Sequence, residues 1–212
     1  ADFGVPQKRK RFVLIGAREG PPVPLPVGSY ADPRSLDVVS EVRRPWLTLR
    51  DALKDLHEPE PEYLDFPSSW RHYLDYVPPG GCWKDVPQEL QREALGGAYD
   101  DPSNPKTKGL KGGRTGFLRR LAWDKPAPTL VDRPTTRAGC ICHPEQTRPL
   151  SVKEYARLQG FPDNWVFCGT TTAKYRLIGQ ATPIQLAQAI ARTIKAASQE
   201  AAPQGERAAG VL

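Results

Sequence analysis

The 212 residues suffice for one domain of ordinary size or two small ones, yet only 39% are hydrophobic, and 23 Pro with 18 Gly leave room for few long regular elements. Thirty Lys and Arg against 24 Asp and Glu give a net charge of +6, which permits an anionic partner such as nucleic acid without demanding one. No run approaches the roughly 18 apolar residues of a membrane span and no charged-then-apolar leader opens the sequence, so the expectation is a cytoplasmic protein.

Six residues in, the sequence carries Gln7-Lys-Arg-Lys-Arg11 followed by Phe12-Val-Leu-Ile15. The apolar run reads as a strand buried on both faces. No comparable run occurs before residue 184, so the sheet that strand joins is expected outside this chain. Alternation aims Gln7, Arg9 and Arg11 to one side. The basic stretch is either a solvated, localisation-like patch or a polar fork offering guanidinium donors to a phosphate or a base edge.

Residues 20–45 carry Pro-Pro-Val-Pro-Leu-Pro and little periodicity, as in an extended connector. Leu49, Ala52, Leu53 and Leu56 then fall at helical spacing behind Thr48, with Asp51 completing a capping box, and the leucines read as core. Pro78-Pro-Gly-Gly81 is a turn, and a weak helix is expected over residues 87–95. Between residues 106 and 120, Lys106, Lys108, Lys111, Arg114, Arg119 and Arg120 are threaded among glycines with no acidic residue. The spacing is not a Walker phosphate loop. It reads either as a solvated loop or as a segment tracking phosphates, where neutralised charge releases counterions.

Cys140-Ile-Cys142-His143 could be half a metal site, but it lacks a second pair at usable spacing, so no metal is expected. With Cys82 and Cys168, the cysteines fit free thiols in a reducing compartment. The most completely specified element follows. Ser151 and Glu154 form a capping box, Leu150 and Tyr155 a hydrophobic staple, Gly160 a left-handed stop, and Phe161-Pro162 prevents continuation. So much capping on a helix too short to be stable alone implies that its position matters to its surroundings. A long helix is expected from Gly179 to Ile194, with Thr182 as cap, Pro183 at its first position and Ile184, Ala187, Ala191 and Ile194 in one stripe suited to packing on a sheet. Residues 199–212 read as a disordered tail.

Three segments in order resemble the DNA (cytosine-5) methyltransferases: Gln7-Lys-Arg-Lys-Arg11 their eighth block, residues 148–163 (with Arg148, Ser151, Glu154, Arg157 and Gly160) their ninth, and Gly179-Gln-Ala-Thr-Pro183 their tenth. Thr129-Leu130 is similar to the Thr-Leu pair of the family's variable target-recognition region. The tenth block usually reads Gly-Asn and here reads Gly179-Gln180, a departure beside the cofactor. The family's cofactor block, its Pro-Cys-Gln nucleophile loop and its Glu-Asn-Val block have no counterpart, and none of the four cysteines follows a proline.

The resemblance implies an α/β fragment plus a loop-rich α+β target-recognition domain. Residues 1–19 are the closing strand segment of a Rossmann-like catalytic domain, 20–175 the recognition domain, and 176–198 the helix returning to the catalytic domain. It implies Arg9 and Arg11 at the pocket of a flipped cytosine, with Arg11 facing the base carbonyl. Gln7, Lys108, Lys111, Arg114, Arg119, Arg120, Thr129 and Leu130 are implied at DNA, and Gln180, Ala181 and Thr182 at S-adenosylmethionine. The implied partners are double-stranded DNA and a complementary amino-terminal subunit or segment carrying the nucleophile, with the chain inactive alone. The implied setting is restriction-modification. The competing readings are a non-catalytic sequence-specific DNA-binding module derived from that family and a zinc-stabilised binding domain.

Overall fold

The computed structural model describes residues 1–18, 20–96 and 116–201. In chain order these form β1 (Gln7–Lys8), β2 (Tyr30–Ala31), α1 (Leu36–Val39), β3 (Arg44–Pro45), α2 (Leu49–Leu53), α3 (Ser68–Arg71), α4 (Gln88–Leu95), β4 (Arg119–Arg120), β5 (Ala127–Pro128), β6 (Ile141–Cys142), α5 (Val152–Gln159), α6 (Thr171–Gln180) and α7 (Ile184–Ala201). The strands make three two-stranded parallel pairs, β1 with β5, β2 with β3 and β4 with β6. Pro45 and Pro128 end two of these strands, because proline has no amide to continue a ladder. Regular structure lies mainly in helices, of which α2, α5 and α6 carry side-chain N-caps.

Helix α5 is the centre. Ser151 Oγ accepts from the Glu154 amide, and the Glu154 carboxylate accepts from the Ser151 amide at 2.6 Å. Gly160 closes the helix at φ 88°, a left-handed conformation that glycine adopts without a Cβ penalty. Six of the eight helical residues are buried, so the helix sits within the fold rather than on it. Around it, Leu49 and Leu53 of α2, Leu130, Ile141, Leu150, Tyr155, Leu158 and, from α6, Tyr175 and Ile178 make one core. The Tyr155 and Tyr175 rings meet edge to face with centroids 5.2 Å apart.

A second core gathers Phe66, Trp70, Tyr73, Leu74, Val77, Trp83, Leu95 and Leu118 with the thiols of Cys140 and Cys142. The two cores meet at β6. Ile141 points into the first while Cys140 and Cys142 point into the second, the period-two alternation of a strand. Burial raises the pKa of both thiols, Cys142 to about 11 and Cys140 well above the ordinary thiol range, so neither is available as a thiolate near neutrality. Among the described residues no group of three or more His, Cys, Asp or Glu could hold a metal ion. His143 instead accepts from the amides of Glu145 and Gln146 through Nδ1, and burial lowers its pKa.

Buried charge holds the helix in place. Arg148 is bidentate to Glu154 at 2.8 and 2.9 Å, donates from Nε to the Gln146 side chain and from a terminal nitrogen to the Pro149 carbonyl. Ser151 Oγ donates to Glu58. Arg157 clamps the far end, bonded to Asp163, Asp55 and the Ala52 carbonyl.

Four expectations need correction. Residues 12–15 form no strand, and Phe12 and Leu14 are 91% and 85% exposed, since no strand among the described residues is placed to cover them. The long helix expected with Thr182 as cap and Pro183 at its first position begins one residue later, at Ile184, with the Pro183 carbonyl accepting from the Ala187 amide. Gly179 and Gln180 end α6, an element not anticipated. Ile184 is only half-buried and Ala187, Ala191 and Ile194 are exposed, so the described residues supply no sheet beneath that stripe. Helix α7 also runs to Ala201, past the expected start of the tail, and the remainder of that tail lies outside the described residues. No helix among the described residues is long and apolar enough to cross a membrane.

Glu154→Ala leaves the Arg148 guanidinium buried without its carboxylate and is expected to cost about 3–5 kcal/mol in urea unfolding. The double variant Arg148→Met with Glu154→Leu is expected to recover much of that loss, because no unpaired charge remains.

Candidate functional site

Strand β1 enters beside β5 with Gln7 opposite Ala127 and Lys8 opposite Pro128. This register carries the Gln7 side chain over the end of α5. Its Nε2 donates to Gln159 Oε1 at 2.6 Å and to the Leu158 carbonyl at 3.3 Å, while its Oε1 accepts from the Leu130 amide at 3.1 Å. Gln159 passes the linkage on, its Nε2 donating to the carbonyls of Ile178 and Ala181 at 2.9 and 2.5 Å. Two fully buried carboxamides thus join the first strand, the segment just after β5, the end of α5 and the α6–α7 break. A buried amide left unpaired costs more than a made hydrogen bond contributes, so the four segments are held in one arrangement.

Arg9 lies two residues on and on the same side. Its guanidinium donates to the Leu130 carbonyl at 2.9 Å and to the Gly179 carbonyl at 2.8 Å, while its Nε is buried without an acceptor. Gly179 lets the Val131 backbone pass close to α6, since a Cβ there would stand 2.5 Å from the Val131 carbonyl oxygen. Val131 is fixed from the other side by the Tyr155 hydroxyl, which donates to its carbonyl and accepts from its amide. Thr129 is exposed, and its hydroxyl donates to the Lys8 carbonyl.

Arg11 is different. It is exposed, and its one hydrogen bond goes to the carbonyl of its neighbour Lys10 at 3.3 Å. Gln7, Arg9 and Arg11 nevertheless share one recess of about 330 Å³, closed on its far side by Pro183 and Leu186. A guanidinium at the mouth of a recess whose wall is already hydrogen-bonded is free to meet an acceptor from outside.

The C-5 cytosine-specific DNA methylase family model matches residues 1–196. This chain belongs to the C-5 cytosine-specific DNA methylase family. It is similar to the type II methyltransferase M.Eco47II of Escherichia coli, with 40% identity over 91% of this chain and 43% of that protein. It is also similar to M.PspPI of Psychrobacter sp. (strain TA137) at 38% over 91% of this chain and 43% of that protein, and to M.Sau96I of Staphylococcus aureus at 35% over 91% and 40%. The chain therefore spans less than half the length of the curated relatives it matches.

Within this member of the methylase family, the structure sorts the expected DNA contacts. Gln7, Arg120 and Leu130 are buried. The Arg120 guanidinium donates to the carbonyls of Val77, Leu74 and His143 and to the Thr147 hydroxyl, all within the fold. Arg119 is half-buried and Thr129 exposed. Lys108, Lys111 and Arg114 lie outside the described residues. Arg148, Ser151, Glu154, Arg157 and Gly160 hold α5, as described above.

Near the α6–α7 break, Gln180 and Thr182 are exposed, and their side chains form no hydrogen bond among the described residues. Ala181 is anchored through its carbonyl to Gln159. Two unengaged polar side chains on a fixed backbone are compatible with an outer contact to S-adenosylmethionine, whose chemistry is to supply the methyl group.

Gln159 was not singled out from the sequence, although a signal was present. It occupies the position in line with Val152, Tyr155 and Ala156 at helical spacing, a polar residue on an otherwise apolar face. Gln159→Leu is expected to strand the Gln7 donor and two carbonyls and to cost about 1–3 kcal/mol in urea unfolding. Gln180→Ala, at an exposed position, is expected to stay within about 0.5 kcal/mol of the unsubstituted chain.

Proposed function

We propose that this chain is the DNA-target-recognition part of a DNA (cytosine-5) methyltransferase acting in restriction-modification. In the complete enzyme a methyl group passes from S-adenosylmethionine to carbon 5 of a cytosine flipped out of the duplex. The chain works with a complementary amino-terminal segment or subunit that holds most of the cofactor site and the nucleophile. The type II methyltransferases it resembles support the setting.

The chemistry supports the need for a complement. Carbon 5 of cytosine is a poor nucleophile until a thiolate adds to carbon 6. None of the four cysteines follows a proline as in the family's nucleophile loop, and Cys140 and Cys142 are buried with raised pKa. The exposed Phe12 and Leu14 are suited to joining a sheet in that complement. In this reading, residues 1–19 and 176–198 belong with the catalytic domain and residues 20–175 form the target-recognition domain.

The observation that carries the proposal is the division of labour within Gln7, Arg9 and Arg11. Gln7 and Arg9 hold the wall together, and Arg11 alone keeps its guanidinium for an outside acceptor at the shared recess. Arg11 then contacts the carbonyl oxygen of the flipped cytosine. Arg119 and Thr129, with Lys108, Lys111 and Arg114, contribute to DNA binding, and Gln180 and Thr182 reach the cofactor from its outer side.

Arg11→Ala in the assembled enzyme is expected to lower kcat by roughly 10²-fold or more while most duplex affinity is kept. Equal loss of methylation and of duplex binding, measured by methyl incorporation and fluorescence anisotropy, would reduce Arg11 to a phosphate contact.

A further inference from the structure

Arg119 and Arg120 are adjacent on β4 and have opposite fates. Arg120 points inward and every one of its nitrogens meets an acceptor. The Arg119 side chain makes no hydrogen bond or ion pair among the described residues, and its Nε is buried with no acceptor. The other buried or half-buried arginines described here, Arg9, Arg43, Arg120, Arg137, Arg148 and Arg157, all have acceptors. Arg119 is the exception.

Its surroundings make this costly. The stem lies against Gly116, where an added Cβ would come within 3.1 Å of the Arg119 Cδ. Burial lowers its pKa, and the polar groups acting on it are Cys140, Cys82 and Tyr155, none of them a carboxylate. A desolvated cation with no counter-charge is unfavourable unless a ligand supplies the acceptors. Its place narrows the ligand. Tyr155, within electrostatic range of Arg119, is bonded to Val131, and the adjoining Leu130 receives Arg9. Arg119 is not among the residues that line the recess holding Arg11.

We propose that Arg119 is a specificity-determining residue that presents its planar fork to the paired acceptors of a guanine edge in the DNA target, a refinement that rests on the target-recognition reading given above. Guanine offers N7 and O6 in the spacing that a guanidinium matches, and a half-buried stem beside Gly116 has less freedom than an exposed one to follow a mobile phosphate. A phosphate-tracking arginine needs no such confinement.

The test selects duplexes with a randomised window on the full chain, at low salt where DNA binding is strongest. Unsubstituted protein, Arg119→Lys and Arg119→Ala are compared, with thermal unfolding to establish that each is folded. Arg119→Lys keeps the charge and carries the test if Arg119→Ala does not fold. The unsubstituted chain is expected to enrich a guanine at one fixed position, and the substitutions to relax that preference by about tenfold or more. Replacing that guanine with 7-deazaguanine is expected to weaken the unsubstituted chain and leave the variants unchanged. A variant that keeps the same sequence preference, with affinity lowered evenly across sequences and a shallower salt dependence, overturns the assignment in favour of a phosphate contact. If the unsubstituted chain enriches no sequence, the target-recognition reading falls and this inference with it.

Discussion

The contact between the carboxamides of Gln7 and Gln159 is the constraint on which the rest of the arrangement depends. Each side chain is fully buried, and each links its partner to backbone groups elsewhere. A carboxamide carries both donors and an acceptor, so it can join segments of different polarity where a charge would need a counter-ion. The result is a fixed path from β1 through the Leu130 backbone and the end of α5 to the α6–α7 break. Along that path Arg9 is tied to Leu130 and Gly179, and Arg11 is left facing out.

This junction needs a rigid support, which α5 supplies. The helix is too short to hold itself, so its position comes from its caps, from the Arg148–Glu154 pair at one end and from the Arg157 clamp at the other. Its apolar residues fill one core, while β6 separates that core from a second one built around Trp70, Tyr73 and Leu95. Because Ile141 and its flanking cysteines face opposite ways, β4 is set at the boundary. There Arg120 is consumed by internal carbonyls and the adjacent Arg119 is held without a hydrogen-bond partner among the described residues. Packing thus decides which basic side chains remain available for an anion.

What the sequence made legible was local. The capping boxes at Thr48 and Ser151 and the stop at Gly160 appear where expected, because each is fixed by residues within a few positions of one another. Family membership was also readable, from three short segments in order, and residues 1–196 match the family. The long-range polar pairing of Gln7 with Gln159 was not readable, since nothing in either segment names a partner 152 positions away. Nor could composition separate Arg119 from Arg120, which look alike in a basic run until the fold turns one of them inward. The apolar residues 12–15 misled for the reverse reason. They have the character of a buried strand, but burial requires a neighbour that the described residues do not provide. Helix α6 escaped notice because Tyr175 and Ile178 are its main buried side chains, too few to set a pattern.

In the proposed enzyme this chain reads DNA and shapes the base pocket while the reacting thiolate comes from a complementary segment. The most direct test of this division is the transfer of labelled methyl groups from S-adenosylmethionine to duplex DNA, measured for the purified chain alone and after mixing with a family segment that contains the Pro-Cys-Gln loop. No incorporation is expected from the chain alone, and incorporation is expected once the two are combined. Methylation by the chain alone would contradict that division.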